Sequence, residues 1–159
     1  MIQKKVSYHS FETDLTQWTL IGFTVGQEAR ELLLSLKDEP VGVIAVAGMY
    51  RTGKSFLLNR IILGETNHGF GVGPTINPCT KGLWVWNKPI DLVDKNSKKP
   101  FKCLVVDSEG IGAFNEDKNH DTRIFLLALL LSSYFVYNSM GTIDESALQN
   151  LSLIVNLSK

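Results

Sequence analysis

Residues 41–55, VGVIAVAGMYRTGKS, restrict the fold more than any other stretch of this 159-residue chain. VGVIAVAG is a continuous apolar run rich in β-branched residues, as expected of a central strand buried on both faces. The turn after it places Gly48, four residues, then Gly53, Lys54 and Ser55, which is the spacing of a phosphate-binding loop. KSFLLNRIIL, residues 54–63, supplies the next helix, with apolar positions at 56–58 and 61–63. Glycines let the backbone amides of such a loop turn inward onto phosphate oxygens, and the helix start adds the positive end of its dipole. Lys54 then reaches the outer phosphates, and Ser55 offers its hydroxyl to Mg²⁺. The alternative is a glycine-rich turn with an incidental Lys-Ser pair; a strand before it and a helix after it count against that. Arg51 does not follow from the spacing. It is either a solvated charge on a turn or a working group.

The rest of the chain alternates helix and strand signals. TVGQEARELLLSL, residues 24–36, reads as a helix with Ala29, Leu32, Leu33 and Leu36 on one face and Thr24 as its cap. Asp38-Glu39-Pro40 ends it. After the phosphate-loop helix, GETNHGFGVGPTINPCT has no period and reads as a long loop. KGLWVWN and FKCLVVDSEG predict two antiparallel strands around a solvated connection, KPIDLVDKNSKKP, whose basic run at 95–99 is a loop and not a lipid or phosphate patch. DTRIFLLALLLSS predicts a helix, YFVYN a strand, and DESALQNLSLIVNL a further helix capped by Asp144. This order indicates a three-layer α/β fold with a mainly parallel sheet. The last helical pattern runs almost to Lys159, which suggests a domain incomplete at its C-terminal side.

Charge and composition exclude several function classes. The chain carries 16 basic and 16 acidic residues, so it lacks the positive excess that broad nucleic-acid binding needs. Hydrophobic residues at 44% and charged residues at 20% fit a soluble globular domain. The most apolar run, residues 124–137, falls short of the roughly 18 to 20 residues that span a bilayer and is interrupted by Ser132 and Ser133. Cys79 and Cys103 form no disulfide framework, which fits a reduced compartment. The opening residues lack the apolar segment of a secretory signal, so the sequons at Asn150 and Asn156 read as chance matches.

Two further segments bear on mechanism. DSEG, residues 107–110, ends a strand, where Asp107 can hold a metal through water and the Gly110 amide can meet a terminal phosphate. NPCTKG, residues 77–82, lies between the two motifs, where a nucleotide-sensing loop belongs, and Thr80 there can complete a Mg²⁺ shell. NKPID at 87–91 imitates a guanine-selecting Asn-Lys-x-Asp, but its Asp91 falls one position late and it precedes DSEG. It is rejected. The residues that would read the base are not evident.

Taken together, GMYRTGKSFLLN, CTKGLWVW, DSEGIG and LLSSYFVYNSMGTIDESAL resemble the guanylate-binding protein family, large GTPases related to dynamins. The pieces stand in the family's order, and the tract at 130–143 has no role in generic nucleotide binding. Atlastins are similar, but CTKGLWVW and DSEG fit guanylate-binding proteins better. The resemblance implies a Ras-like G domain of the P-loop NTPase class over residues 1–159, with an N-terminal part at 1–40 and the remainder at 41–159. It also implies GTP binding and hydrolysis with Mg²⁺, GTP and GDP as ligands, a homodimer of G domains and a cytoplasmic location. Membrane association would come only through regions outside this chain.

On matching positions the resemblance makes Gly48, Tyr50, Arg51, Thr52, Gly53, Lys54, Ser55, Phe56 and Gly110 nucleotide-binding residues. Ser55, Thr80 and Asp107 become metal ligands. Arg51 falls on the family's internal arginine finger, Thr80 on the switch threonine, and Glu109 on a residue that organises water near the terminal phosphate. One departure is Pro78, where many animal members carry a serine that positions the attacking water; plant and protist relatives with Pro-Cys-Thr look closer. The Arg-Asp base-recognition motif, guanine cap, helical region and any prenylation signal are expected beyond Lys159. Two rival readings stand beside this one: an ATP-using P-loop enzyme, and a nucleotide-gated interaction module with little turnover, which Pro78 favours.

Overall fold

The computed structural model describes residues 12–14, 17–19, 22–65, 69–71, 82–112, 118–141 and 152. Within them three short strands come first: β1 (Glu12–Asp14), β2 (Gln17–Thr19) and β3 (Gly22–Thr24), the last two paired as an antiparallel hairpin. Helix α1 (Gln27–Ser35) follows, then the central strand β4 (Val41–Gly48). The phosphate-loop helix begins as α2 (Lys54–Leu57) and widens into a π turn over Leu58–Ile62. Strands β5 (Leu83–Trp86), β6 (Ile90–Val93) and β7 (Pro100–Ser108) lead to helix α3 (Lys118–Leu131) and strand β8 (Tyr134–Asn138).

The main sheet runs β1-β5-β7-β4-β8, with β6 also paired to β7. Its centre is parallel: β4 lies between β7 and β8 and runs with both. One side is antiparallel, since β5 and β6 occupy successive halves of the same edge of β7 and β1 adds to β5. The result is an α/β architecture around a mixed sheet whose centre is parallel.

Strand alternation divides the core into two layers. Ala45 and Ala47 of β4, Leu104 and Val106 of β7, and Leu83 and Val85 of β5 pack on one face against Ala29 of α1, Leu36 just past its end, and Ile124, Phe125 and Ala128 of α3. Phe125 meets the ring of Phe135 edge-on, with centroids 5.5 Å apart. The opposite faces of the same strands, through Val46, Val105 and Trp86, cover Leu58 and Phe70. Each large apolar side chain buried this way stabilises by about 1.5–3 kcal/mol. The joint from α3 to β8 is set by the two serines inside the long apolar run. Ser132 bonds back to the Leu129 carbonyl at 2.8 Å, while the Ser133 amide and hydroxyl pair with Val43 of β4.

Several expectations change. Thr24 does not cap α1; it pairs with Gln17 in the hairpin, and the helix starts after Gly26, whose carbonyl accepts from Arg30. Leu33 is exposed, so the buried stripe narrows to Ala29, Leu32 and Leu36. The helix over 54–63 is not α throughout. The Leu63 amide reaches back five residues to Leu58, and the wider turn points consecutive Leu58 and Asn59 inward. Part of the expected connection, Ile90–Val93, is a strand on β7. The solvated turn is confined to 94–99, where Asp94 accepts from the amides of Asn96 and Ser97. The final helix with its Asp144 cap lies outside the described residues.

Candidate functional site

The candidate site forms where the parallel strands end, the usual ligand position in an open α/β sheet. β4 and β7 pair with Val46 opposite Asp107, and two bonds latch the segments beyond them. The Tyr50 amide donates to the Ile111 carbonyl at 3.0 Å, and the Ile111 amide donates to the Gly48 carbonyl at 3.0 Å. Two glycines permit this approach. A Cβ on Gly48 would stand 2.0 Å from the Asn138 carbonyl oxygen, and one on Gly110 would stand 2.3 Å from Tyr50 Cα. Neither could be accommodated without parting the strands.

Between Gly48 and Lys54 the chain makes a tight loop tied together from inside. The Thr52 hydroxyl donates to the Met49 carbonyl at 2.9 Å, and Lys54 Nζ donates to the same oxygen at 3.0 Å. Asn138, at the end of β8, donates from Nδ2 to the Thr52 carbonyl at 2.9 Å and to Thr52 Oγ1 at 3.2 Å. Arg51 occupies the crest of the loop, exposed, with φ of +59°. That is the left-handed region, which costs a non-glycine residue about 1–2 kcal/mol. The amides of Lys54, Ser55 and Phe56 precede the first helical bond, from Leu57 N–H to the Gly53 carbonyl at 2.8 Å, so they head the helix as donors.

Below the loop is a buried charged cluster. Lys54 is only 6% exposed; burial lowers its pKa, and the charges of Asp107 and Glu109 oppose that shift. Ser55 Oγ donates to Asp107 Oδ2 at 2.5 Å. Asp107 is fully buried. Among the described residues no group of three or more His, Cys, Asp and Glu is placed to hold a metal. Yet a hydroxyl and a carboxylate side by side, both hard oxygen donors, suit Mg²⁺, which fills most of its shell with water and substrate phosphate. The donor set fits that ion.

Glu109 is buried and already engaged. Its Oε2 accepts from the Gly82 amide at 2.8 Å and faces His120 Nε2 of α3 at 3.1 Å, while its own amide donates to the Gly82 carbonyl at 2.8 Å. It therefore clamps the end of β7 to the start of β5, just past the segment that contains Thr80. Its Oε1 is buried with no hydrogen-bond partner among the described residues. Thr80, with Pro78 and Cys79, lies outside the described residues. The Phe56 side chain stands in solvent with the Arg60 guanidinium 5.5 Å over its ring, which leaves its backbone amide as its contribution to the site.

Gly48, Tyr50, Arg51, Thr52, Gly53, Lys54, Ser55, Asp107, Glu109 and Gly110 are thus brought to one end of the sheet. Sequence reasoning missed Asn138 and His120. The only signal for Asn138 was a polar residue closing the apolar strand YFVYN; His120 carried none.

A family model described as "Guanylate-binding protein, N-terminal domain" matches residues 21–159. Guanylate-binding protein 7 of Mus musculus is 46% identical over 128 residues, 80% of this chain and 19% of its own length. Guanylate-binding protein 7 of Homo sapiens is 42% identical over 146 residues, 91% of this chain and 22% of its own length. Guanylate-binding protein 2 of Homo sapiens is 44% identical over 146 residues, 87% of this chain and 23% of its own length. The chain spans about a fifth of the length of these curated relatives.

Proposed function

The chain belongs to the guanylate-binding protein family, and from that premise we propose that it is the phosphate-handling part of a GTPase domain that hydrolyses GTP. The observation that carries the proposal is the bond between Ser55 at the head of α2 and Asp107 at the end of β7, beside buried Lys54. A serine and an aspartate 52 positions apart meet where a nucleotide's outer phosphates would lie against the loop amides.

In the reaction a water oxygen attacks the γ-phosphorus, and the bond to the β–γ bridging oxygen breaks. The electron pair leaves with GDP, and the water's proton ends on phosphate. Catalysis of such a step is mostly positioning and charge stabilisation. Lys54 and the amides of residues 54–56 hold the phosphates, and the Gly110 amide faces the terminal one. Ser55 and Asp107, with Thr80 by its place in the motif order, would hold Mg²⁺, whose positive charge would offset that developing on the phosphate oxygens. Glu109 fixes the far wall and orients water through the carboxylate oxygen that its clamp leaves unused. Arg51, on the exposed crest, neutralises charge on the transferring group as an arginine finger carried in the loop itself. Contact with a second G domain is the proposed trigger.

Measured turnover of GTP and ATP by the full-length protein tests this reading. Lys54→Ala abolishes binding, whereas Arg51→Ala keeps most of the binding and loses about 10³- to 10⁵-fold in rate, roughly 4 to 7 kcal/mol. Faster turnover of ATP than GTP sinks the guanine assignment. Tight binding with negligible hydrolysis by wild type supports the interaction-module reading instead.

A further inference from the structure

We propose that Asn138 is a positioning residue for the phosphate loop: its side-chain amide, donating to Thr52, holds Arg51 in the left-handed conformation that presents it to the nucleotide. The proposal rests on the catalytic reading of Arg51 given above. Asn138 is the last residue of β8 and pairs with Gly48, the last of β4. Its main chain is seated against the loop so closely that a Cβ on Gly48 would fall 2.0 Å from its carbonyl oxygen. From that fixed base Nδ2 reaches the Thr52 carbonyl at 2.9 Å and Thr52 Oγ1 at 3.2 Å. Since a carbonyl only accepts, the amide nitrogen must be the group facing Thr52.

The bonds form a chain across the loop. Asn138 donates to Thr52, Thr52 donates to the Met49 carbonyl, and Lys54 donates to that same oxygen. Met49 and Thr52 flank the segment that contains Arg51, whose φ of +59° is disfavoured for any side chain larger than hydrogen. Such a conformation persists only where its surroundings over-determine it. Here part of the fixing comes from outside the loop, through a strand end packed beside it, from which Asn138 donates to Thr52. Lys54 and Ser55 are also seated in the helix start and against Asp107, whereas Arg51 lies inside the braced turn, so losing the brace should disturb Arg51 more than phosphate binding.

The test uses Asn138→Ala and Asn138→Asp in the full-length protein, the second keeping the shape but replacing the donor by an acceptor. Two readouts are taken. Hydrogen exchange without nucleotide should quicken about tenfold over residues 48–56, the scale of one lost neutral hydrogen bond, with residues 41–47 of β4 and all of β7 unchanged. Single-turnover GTP hydrolysis should slow about tenfold by the same measure while GTP affinity stays within about threefold. Adding Asn138→Ala to Arg51→Ala should slow the reaction no further, the coupling expected of groups acting as one. Asn138→His, whose Nδ1–H can donate from a similar position, should restore part of the rate. Unchanged exchange over 48–56, exchange raised across the whole sheet, affinity falling in step with rate, or losses that multiply with Arg51→Ala would each overturn the proposal. Wild-type turnover by Arg51→Ala would refute the finger reading instead; exchange over 48–56 then decides by itself whether Asn138 braces the loop.

Discussion

Arg51 combines an exposed charge with a backbone conformation that only glycine adopts without cost. The two properties can be separated. Arg51→Gly removes the guanidinium but relieves the positive φ, so the protein should be no less stable than wild type in urea while turnover falls as far as in Arg51→Ala. A large loss of stability in the glycine variant would mean that the side chain holds the loop together. Cys103 poses a different question at the same scale. It is buried in β7, and burial pushes its thiol above the ordinary value of 9.0. The unfolded chain therefore loses that proton at a lower pH than the folded one, and folding keeps it bound. The stability Cys103 contributes relative to Cys103→Ala should be constant below pH 9 and vanish as pH climbs through the folded pKa. Parallel denaturation curves of the two proteins from pH 7 to 10.5 check this; a gap that widens with pH has the wrong sign.

Asn59 shows how one side chain can set the form of an element. It lies in the π turn and pairs with the backbone of Phe70 in both directions, Nδ2 to the carbonyl at 2.9 Å and Oδ1 from the amide at 2.7 Å. Asn59→Ala leaves two buried backbone groups unpaired, at about 1–3 kcal/mol each. The expected loss is about 2–6 kcal/mol in urea unfolding with an unchanged slope; a loss below about 0.5 kcal/mol would mean that water replaces both bonds. The π turn was illegible in KSFLLNRIIL because a contact eleven residues ahead selects it over a continuous α-helix. Strand β6 was hidden for a related reason: Leu92 and Val93 are exposed, and its partner on β7 lies beyond a lysine-rich turn. By contrast β4, β7 and the α3–β8 joint were readable, since dense apolar runs and the Ser132-Ser133 break mark them locally. The candidate site divides the same way. Lys54, Ser55 and Asp107 stood out by spacing, while Asn138 needed the lateral register of β8 against β4.

At the scale of the whole molecule, the site is where three parallel strand ends, a helix start and the antiparallel edge converge, so ligand binding and folding should be coupled. A ligand that binds only the folded protein stabilises it by about 2.7 kcal/mol at a hundredfold excess over Kd. For a chain of this size that corresponds to a rise in Tm of about 5–10 °C. A non-hydrolysable GTP analogue with Mg²⁺ should produce this shift in wild type and none in Lys54→Ala, which lacks the buried amine proposed to anchor phosphate. Chelating the metal should remove part of the shift in wild type. In Asp107→Asn the shift should start smaller and respond little to chelation, because the amide cannot match a carboxylate as a magnesium ligand. Equal shifts with and without chelator in wild type would remove Mg²⁺ from the assignment while leaving the phosphate loop intact. A full shift in Lys54→Ala would be more damaging, because the stabilising ligand would then be bound somewhere other than the end of β4.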